Sequence, residues 1–109
     1  MKEDIYIYLE KFEEQTKQRF WDLHKLIYES TSSSIDEKLW AKLPSFYVND
    51  NFVRLIPFKD HINIVAKAVV FHKGELLGYK ITPKGMLQIF HSQQIPCELL
   101  KTIFKESLE

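Results

Sequence analysis

The chain has 109 residues, of which 45% are hydrophobic and 28% charged, enough for a single domain over 1–109 that holds its core without a metal or disulfide. Fifteen Lys and Arg balance fifteen Asp and Glu for a formal charge of +0, which argues against intrinsic disorder and against a general nucleic-acid binder. The single cysteine, Cys97, excludes an internal disulfide and a cysteine-rich zinc site. No apolar run is long enough for a membrane span, and Met1-Lys2-Glu3-Asp4 does not open a signal peptide. The expectation is a cytoplasmic protein with neither membrane nor nucleic acid as partner.

The first third has helical periodicity. Ile5, Tyr8, Leu9 and Phe12 fall at i, i+3, i+4 and i+7, a single apolar stripe. Phe20, Leu23 and Ile27 repeat that spacing, widened by Trp21 and Tyr28. The two stripes do not merge, which places a break near Phe12 to Glu14. Glu13 with Lys17 and Lys25 with Glu29 stand four apart and support the second helix. After the loop Ser30 to Ser34, Ser34-Ile35-Asp36-Glu37 fits a capping box, predicting a short helix over Asp36 to Lys42 that Pro44 ends.

The period then changes. Ser45 to Val48 is a strand, Asn49-Asp50-Asn51 a turn, and Phe52 to Phe58 alternates, with Phe52, Arg54, Ile56 and Phe58 facing one way and Val53, Leu55 and Pro57 the other. Lys59-Asp60 connects tightly to the alternating His61 to Val65, completing a three-stranded antiparallel meander. Lys67 to Leu77 is predicted helical, with Gly78 as a left-handed stop. Met86 to Phe90 is a further strand after the Pro83-Lys84-Gly85 turn, and Pro96 opens a closing helix that gathers Leu99, Leu100, Ile103 and Phe104 on one side. The order of elements predicts an α+β fold, an antiparallel sheet with helices packed on one face.

Few residues are left for chemistry. Cys97 and the four histidines show no nucleophile motif or metal-ligand spacing, so the chain is not expected to be an enzyme and no cofactor is required. His24 lies in the apolar arc of the second helix, the place of a core-edge histidine. If the first helix ran continuously, Glu3, Glu10 and Glu14 would stack on one face as oxygen donors suited to a hard cation such as iron. A solvated helix face explains the same carboxylates. Lys80, Lys84 and Gly85, in a glycine turn whose amides could cradle an anion, combine with His61 at the sheet edge into a candidate ligand pocket.

Taken in order, Leu43-Pro44-Ser45-Phe46, Pro57-Phe58-Lys59-Asp60-His61-Ile62-Asn63-Ile64, Gly78-Tyr79-Lys80, Lys84-Gly85-Met86-Leu87-Gln88-Ile89 and Ile95-Pro96 resemble the YdhG-like family, a bacterial domain of unknown function, over nearly the whole chain. The resemblance implies a compact α+β fold with helices flanking an antiparallel sheet. It also implies a frataxin-like role, an iron chaperone handing iron to recipient proteins of iron–sulfur cluster or haem synthesis. The chain departs from many relatives at Lys42, before Leu43-Pro44, and at Val65-Ala66-Lys67 after the His-Ile strand. Two functions are carried forward: a small binding protein whose ligand is unassigned, and the iron chaperone. The aromatic content also admits a homodimer.

Overall fold

A computed structural model describes residues 3–109. Six antiparallel strands form one open sheet in the order β1-β2-β3-β4-β6-β5. They are β1 (Asp36–Trp40), β2 (Leu43–Val48), β3 (Asn51–Pro57), β4 (His61–Ala66), β5 (Lys80–Ile81) and β6 (Leu87–Phe90). The helices are α1 (Glu3–Leu9), α2 (Glu14–Ser30) and α3 (Cys97–Leu108), with a 3₁₀ segment over Lys67–Leu76 between β4 and β5.

The alternation of β3 does what a half-buried strand requires. Val53 and Leu55 point inward with Phe46, Ile62, Ile64, Leu87 and Ile89 from their neighbours. Against them pack Ile5 and Leu9 of α1, Phe20, Leu23 and Ile27 of α2, Leu100, Ile103 and Phe104 of α3, and Ala68, Val69 and Leu76 of the 3₁₀ segment, all within one core. The helices thus cover one face of the sheet, as expected for α+β. The opposite face carries Trp40, Tyr47, Phe52, Arg54, Ile56, His61 and Gln88.

Two expected helices are corrected. Asp36 to Lys42 is strand β1 and the turn after it, not a helix. Seven residues make a marginal helix without tertiary support. Here extended backbone puts Glu37 and Leu39 inward and pairs all five strand residues with β2. Ala41 and Lys42 take the left-handed region (φ 50 and 68), the geometry of a tight hairpin. Pro44 lies inside β2, opposite Leu39 and just beyond Ser45, the last residue to pair with β3, where a missing N–H breaks no bond to that strand.

Lys67–Leu76 is a 3₁₀ segment broken at His72 (φ −121, ψ 21), and Gly78 is not left-handed. Val70, Phe71 and Leu77 stay exposed while Ala68, Val69 and Leu76 are buried. The segment therefore has no 3.6-residue stripe to hold an α-helix against the core. What holds it is polar. The Ala68 N–H donates to the buried Ser107 hydroxyl of α3 (3.1 Å). His72 faces Glu75 through Nδ1 (2.6 Å) and Glu106 through Nε2 (2.7 Å).

Those bonds, Glu106 foremost and then Glu75, raise the His72 pKa above its ordinary value. A raised folded-state pKa contributes stability that is fully present below the unfolded pKa of about 6.5 and is lost as pH rises through the folded one. The melting-temperature difference between the protein and His72→Gln is therefore expected to be largest near pH 5.5 and to shrink steadily toward about pH 9. A difference that grows with pH would refute the bridge.

Candidate functional site

Three stretches of chain meet at one end of the sheet: the start of α2, the β3–β4 turn and the residues that follow β6. Thr16, 1% exposed on the first turn of α2, ties them together. Its hydroxyl donates to the Lys59 carbonyl (3.3 Å) and lies 2.9 Å from Nε2 of His91. The hydroxyl hydrogen is committed to Lys59, so Nε2 of His91 is the donor in that contact and Nδ1 is a bare acceptor. Nδ1 is buried and, among the described residues, has no hydrogen-bond partner. Burial, with the Arg19 charge adding to it, lowers the His91 pKa, keeping the ring neutral. Arg19 reaches behind it to the Phe90 and Gln93 carbonyls, and the His91 N–H donates to the Asp60 carbonyl (2.9 Å).

This knot walls a cleft of about 750 Å³ lined by Glu13, Gln15, Lys59, Asp60, His91 and Ser92, among others. A smaller cleft of about 320 Å³ shares Glu13 and Lys59 with it and reaches Phe12 and Thr16. His61 adjoins through its neighbours. Its ring stacks on Phe58 (4.6 Å between centroids, 14° between planes), lies 5.1 Å from Phe90, and meets Asp60 Oδ1 through Nδ1 at 2.7 Å. That hydrogen bond is the main reason the Asp60 carboxyl titrates below its usual range. The cleft therefore presents one ammonium, carboxylates on two sides and a hydroxyl, with the His91 ring in its wall, a set that binds polar groups of either sign.

Lys80, Lys84 and Gly85 do not join His61 there. Lys80 is exposed on β5, the far edge strand, opposite Gln88. Lys84 and Gly85 lie in the turn that follows, and neither lines the cleft. Gly85 does take positive φ (89), as its turn requires. Yet the amides proposed as an anion cradle are already used: Gly85 N–H donates to the Thr82 carbonyl (2.9 Å) and Met86 N–H to the Thr82 hydroxyl (3.1 Å).

The acidic stack is also dispersed. α1 ends at Leu9 and α2 begins at Glu14, so no continuous helix aligns the carboxylates. Glu10 sits in the break, Glu14 pairs with Lys17 at 3.3 Å, and the Glu3 side chain lies outside the described part. Among the described residues, no group of three His, Cys, Asp or Glu side chains is placed to share a metal ion.

The most chemically suggestive cluster is elsewhere. Glu37, 6% exposed, points from β1 toward α2. Nε2 of His24 lies 3.2 and 3.1 Å from its two oxygens, and the Tyr28 hydroxyl donates to Oε1. Burial, the hydrogen bond to Glu37 and the charges of Glu37 and Asp36 push the Tyr28 phenol far above its ordinary pKa, so this hydroxyl is a donor and not a nucleophile. His24 is wedged among Trp21, Tyr28 and Phe46. This network anchors α2 to an edge strand, in keeping with His24 as a satisfied core-edge residue.

Fold and cleft together define a one-sided α+β sheet protein with a polar cleft at the sheet end. Comparison of this chain with family models, curated proteins and solved structures finds no match. Among the described residues no helix is long and apolar enough to cross a membrane.

Proposed function

We propose that the protein is a non-enzymatic binding module that takes a small polar molecule into the cleft between α2 and the β3–β4 turn. The observation that carries this reading is the convergence of Glu13, Lys59, Asp60 and Ser92 on one open volume of about 750 Å³, the few placed polar groups that fix a ligand's orientation. The Thr16 contacts tie the walls to one another before binding, and such pre-organisation lowers the ordering cost of association.

Any ligand preferring the folded state raises its stability by mass action. Thermal melts with inorganic phosphate, citrate, AMP and glutamate are expected to show a rise for at least one of them. Lys59→Ala, an exposed substitution, should abolish that rise while leaving the unliganded melt unchanged. No rise with any probe, or a rise that survives Lys59→Ala, would remove the cleft as the site. Ferrous iron under anaerobic conditions belongs in the same series, since the family resemblance implies it. A rise with iron that Glu10→Ala/Glu14→Ala abolishes and Lys59→Ala does not would favour the chaperone reading instead.

A further inference from the structure

The uncovered face of the sheet holds a second arrangement that the cleft does not use. Arg54, in the middle of β3, is 8% exposed. Its side chain crosses the small Ser45 of β2, donating from Nε to the Ser45 hydroxyl (2.7 Å) and from Nη2 to the Tyr47 hydroxyl (3.1 Å). The guanidinium lies 4.1 Å from the centre of the Trp40 ring and 4.3 Å from that of Phe52. Beside it on β1, the Lys38 ammonium sits 4.8 Å from the Tyr47 ring and 3.1 Å from Asp36. Trp40 is 52% exposed.

Among the described residues, Arg54 has no carboxylate within ion-pair distance. A buried cation without a counter-charge is costly, and the two flanking rings and two hydroxyls offset only part of that cost. A leucine or methionine would fill the same place without the penalty. On the same face Asn63 of β4 is 6% exposed, and among the described residues its Oδ1 has no hydrogen-bond partner. An unneutralised charge and a half-exposed tryptophan coincide on a sheet face that none of the described helices covers.

We propose that the outer face of β1, β2 and β3 docks an acidic segment of a partner protein, one carboxylate pairing with Arg54 and Lys38 while an adjacent apolar side chain rests on Trp40. Tryptophan, tyrosine and arginine are the residues that dominate protein–protein affinity, and here all three meet. None of the four clefts described for this chain is lined by Arg54, Trp40 or Phe52, so the surface suits a protein segment better than a small molecule. Two cations on a chain of zero formal charge fall short of the basic tract a nucleic acid strand needs.

The test is a random peptide library panned on the full chain, with selected peptides resynthesised and titrated by NMR. Enrichment of Asp or Glu next to an aromatic or branched apolar residue is expected, with shifts concentrated at the Trp40 indole and the Arg54 side chain. Arg54→Lys, which keeps the charge and loses the fork, and Trp40→Ala should each weaken binding by about tenfold or more. Trp40→Ala and Lys38→Glu change exposed side chains, so they carry the test if Arg54→Lys does not fold. Failure to enrich acidic peptides, acidic peptides whose binding survives Trp40→Ala, or oligo(dT) binding at these residues in place of peptide would each overturn the proposal. The Lys59→Ala variant should bind the peptides unchanged, which separates this surface from the cleft.

Discussion

Glu37→Ala is expected to lower stability by about 3 kcal/mol at neutral pH, a drop of roughly 15 °C in melting temperature for a domain of this size. The carboxylate is nearly sealed from solvent between α2 and β1, and its removal leaves both His24 and Tyr28 facing a void. Burial alone pushes the Glu37 carboxyl up. The hydrogen bonds from His24 and Tyr28, with the His24 charge, outweigh that and hold it below its ordinary value. A depressed folded-state pKa contributes stability that is present above the unfolded pKa of about 4.3 and lost as pH falls through the folded one. The gap between wild type and Glu37→Ala should therefore close as denaturation is measured from about pH 6 down to about pH 3. Glu37→Gln, which keeps the shape and one acceptor, should cost less than the alanine change at pH 7. A gap independent of pH would mean that the carboxylate contributes volume and not charge.

The same residue explains where sequence reading of the fold stops. Strands β2, β3 and β4 are legible because an apolar residue returns at every second position of their central stretches, Phe46 and Val48, Val53 and Leu55, Ile62 and Ile64, all buried. β1 breaks the rule: one of its inward positions is a glutamate, and Ser34-Ile35-Asp36-Glu37 has the letters of a capping box. The signal that would settle it is the partner, His24, thirteen positions earlier on another element. β5 has two residues, too few for any periodicity. The 3₁₀ segment contains an apolar run that resembles a helix, yet its inward residues are Ala68, Val69 and Leu76, a pattern with no fixed period.

The candidate sites were partly legible for a related reason. The Lys59-Asp60 turn is legible in the sequence and borders the cleft, while His61 beside it is not one of the lining residues. Thr16 and His91 carry no local signal, since their contact joins positions 75 apart. The outward direction of Arg54 follows from the alternation of β3. Its neighbour Trp40 does not, because reading Asp36 to Lys42 as helix leaves that ring with no place on the sheet. Lys80 and Lys84 have the right charge for an anion site, but the two amides closing their turn are spent inside it.

Phe46→Ala is expected to cost about 4 kcal/mol, the range for deleting a fully buried aromatic ring, or roughly 20 °C in melting temperature. Phe46 is 0% exposed on β2, directly across from Glu37, and presents its ring to His24 (centroids 5.5 Å apart, 79° between planes) and to Tyr28 (6.3 Å, 90°). Its loss opens a cavity beside the buried carboxylate and admits water to a site whose hydrogen bonds depend on exclusion from it. Phe46→Leu, which fills most of the volume, should cost about 1.5 kcal/mol. If leucine is as damaging as alanine, the edge-on contact with His24 carries the effect and the filled space does not. Phe46 and Glu37 share His24, so Phe46→Ala combined with Glu37→Ala should fall short of the sum of the single losses by about 1 kcal/mol or more. Strict additivity in that cycle would show that the aromatic wedge and the polar anchor hold α2 to the sheet independently.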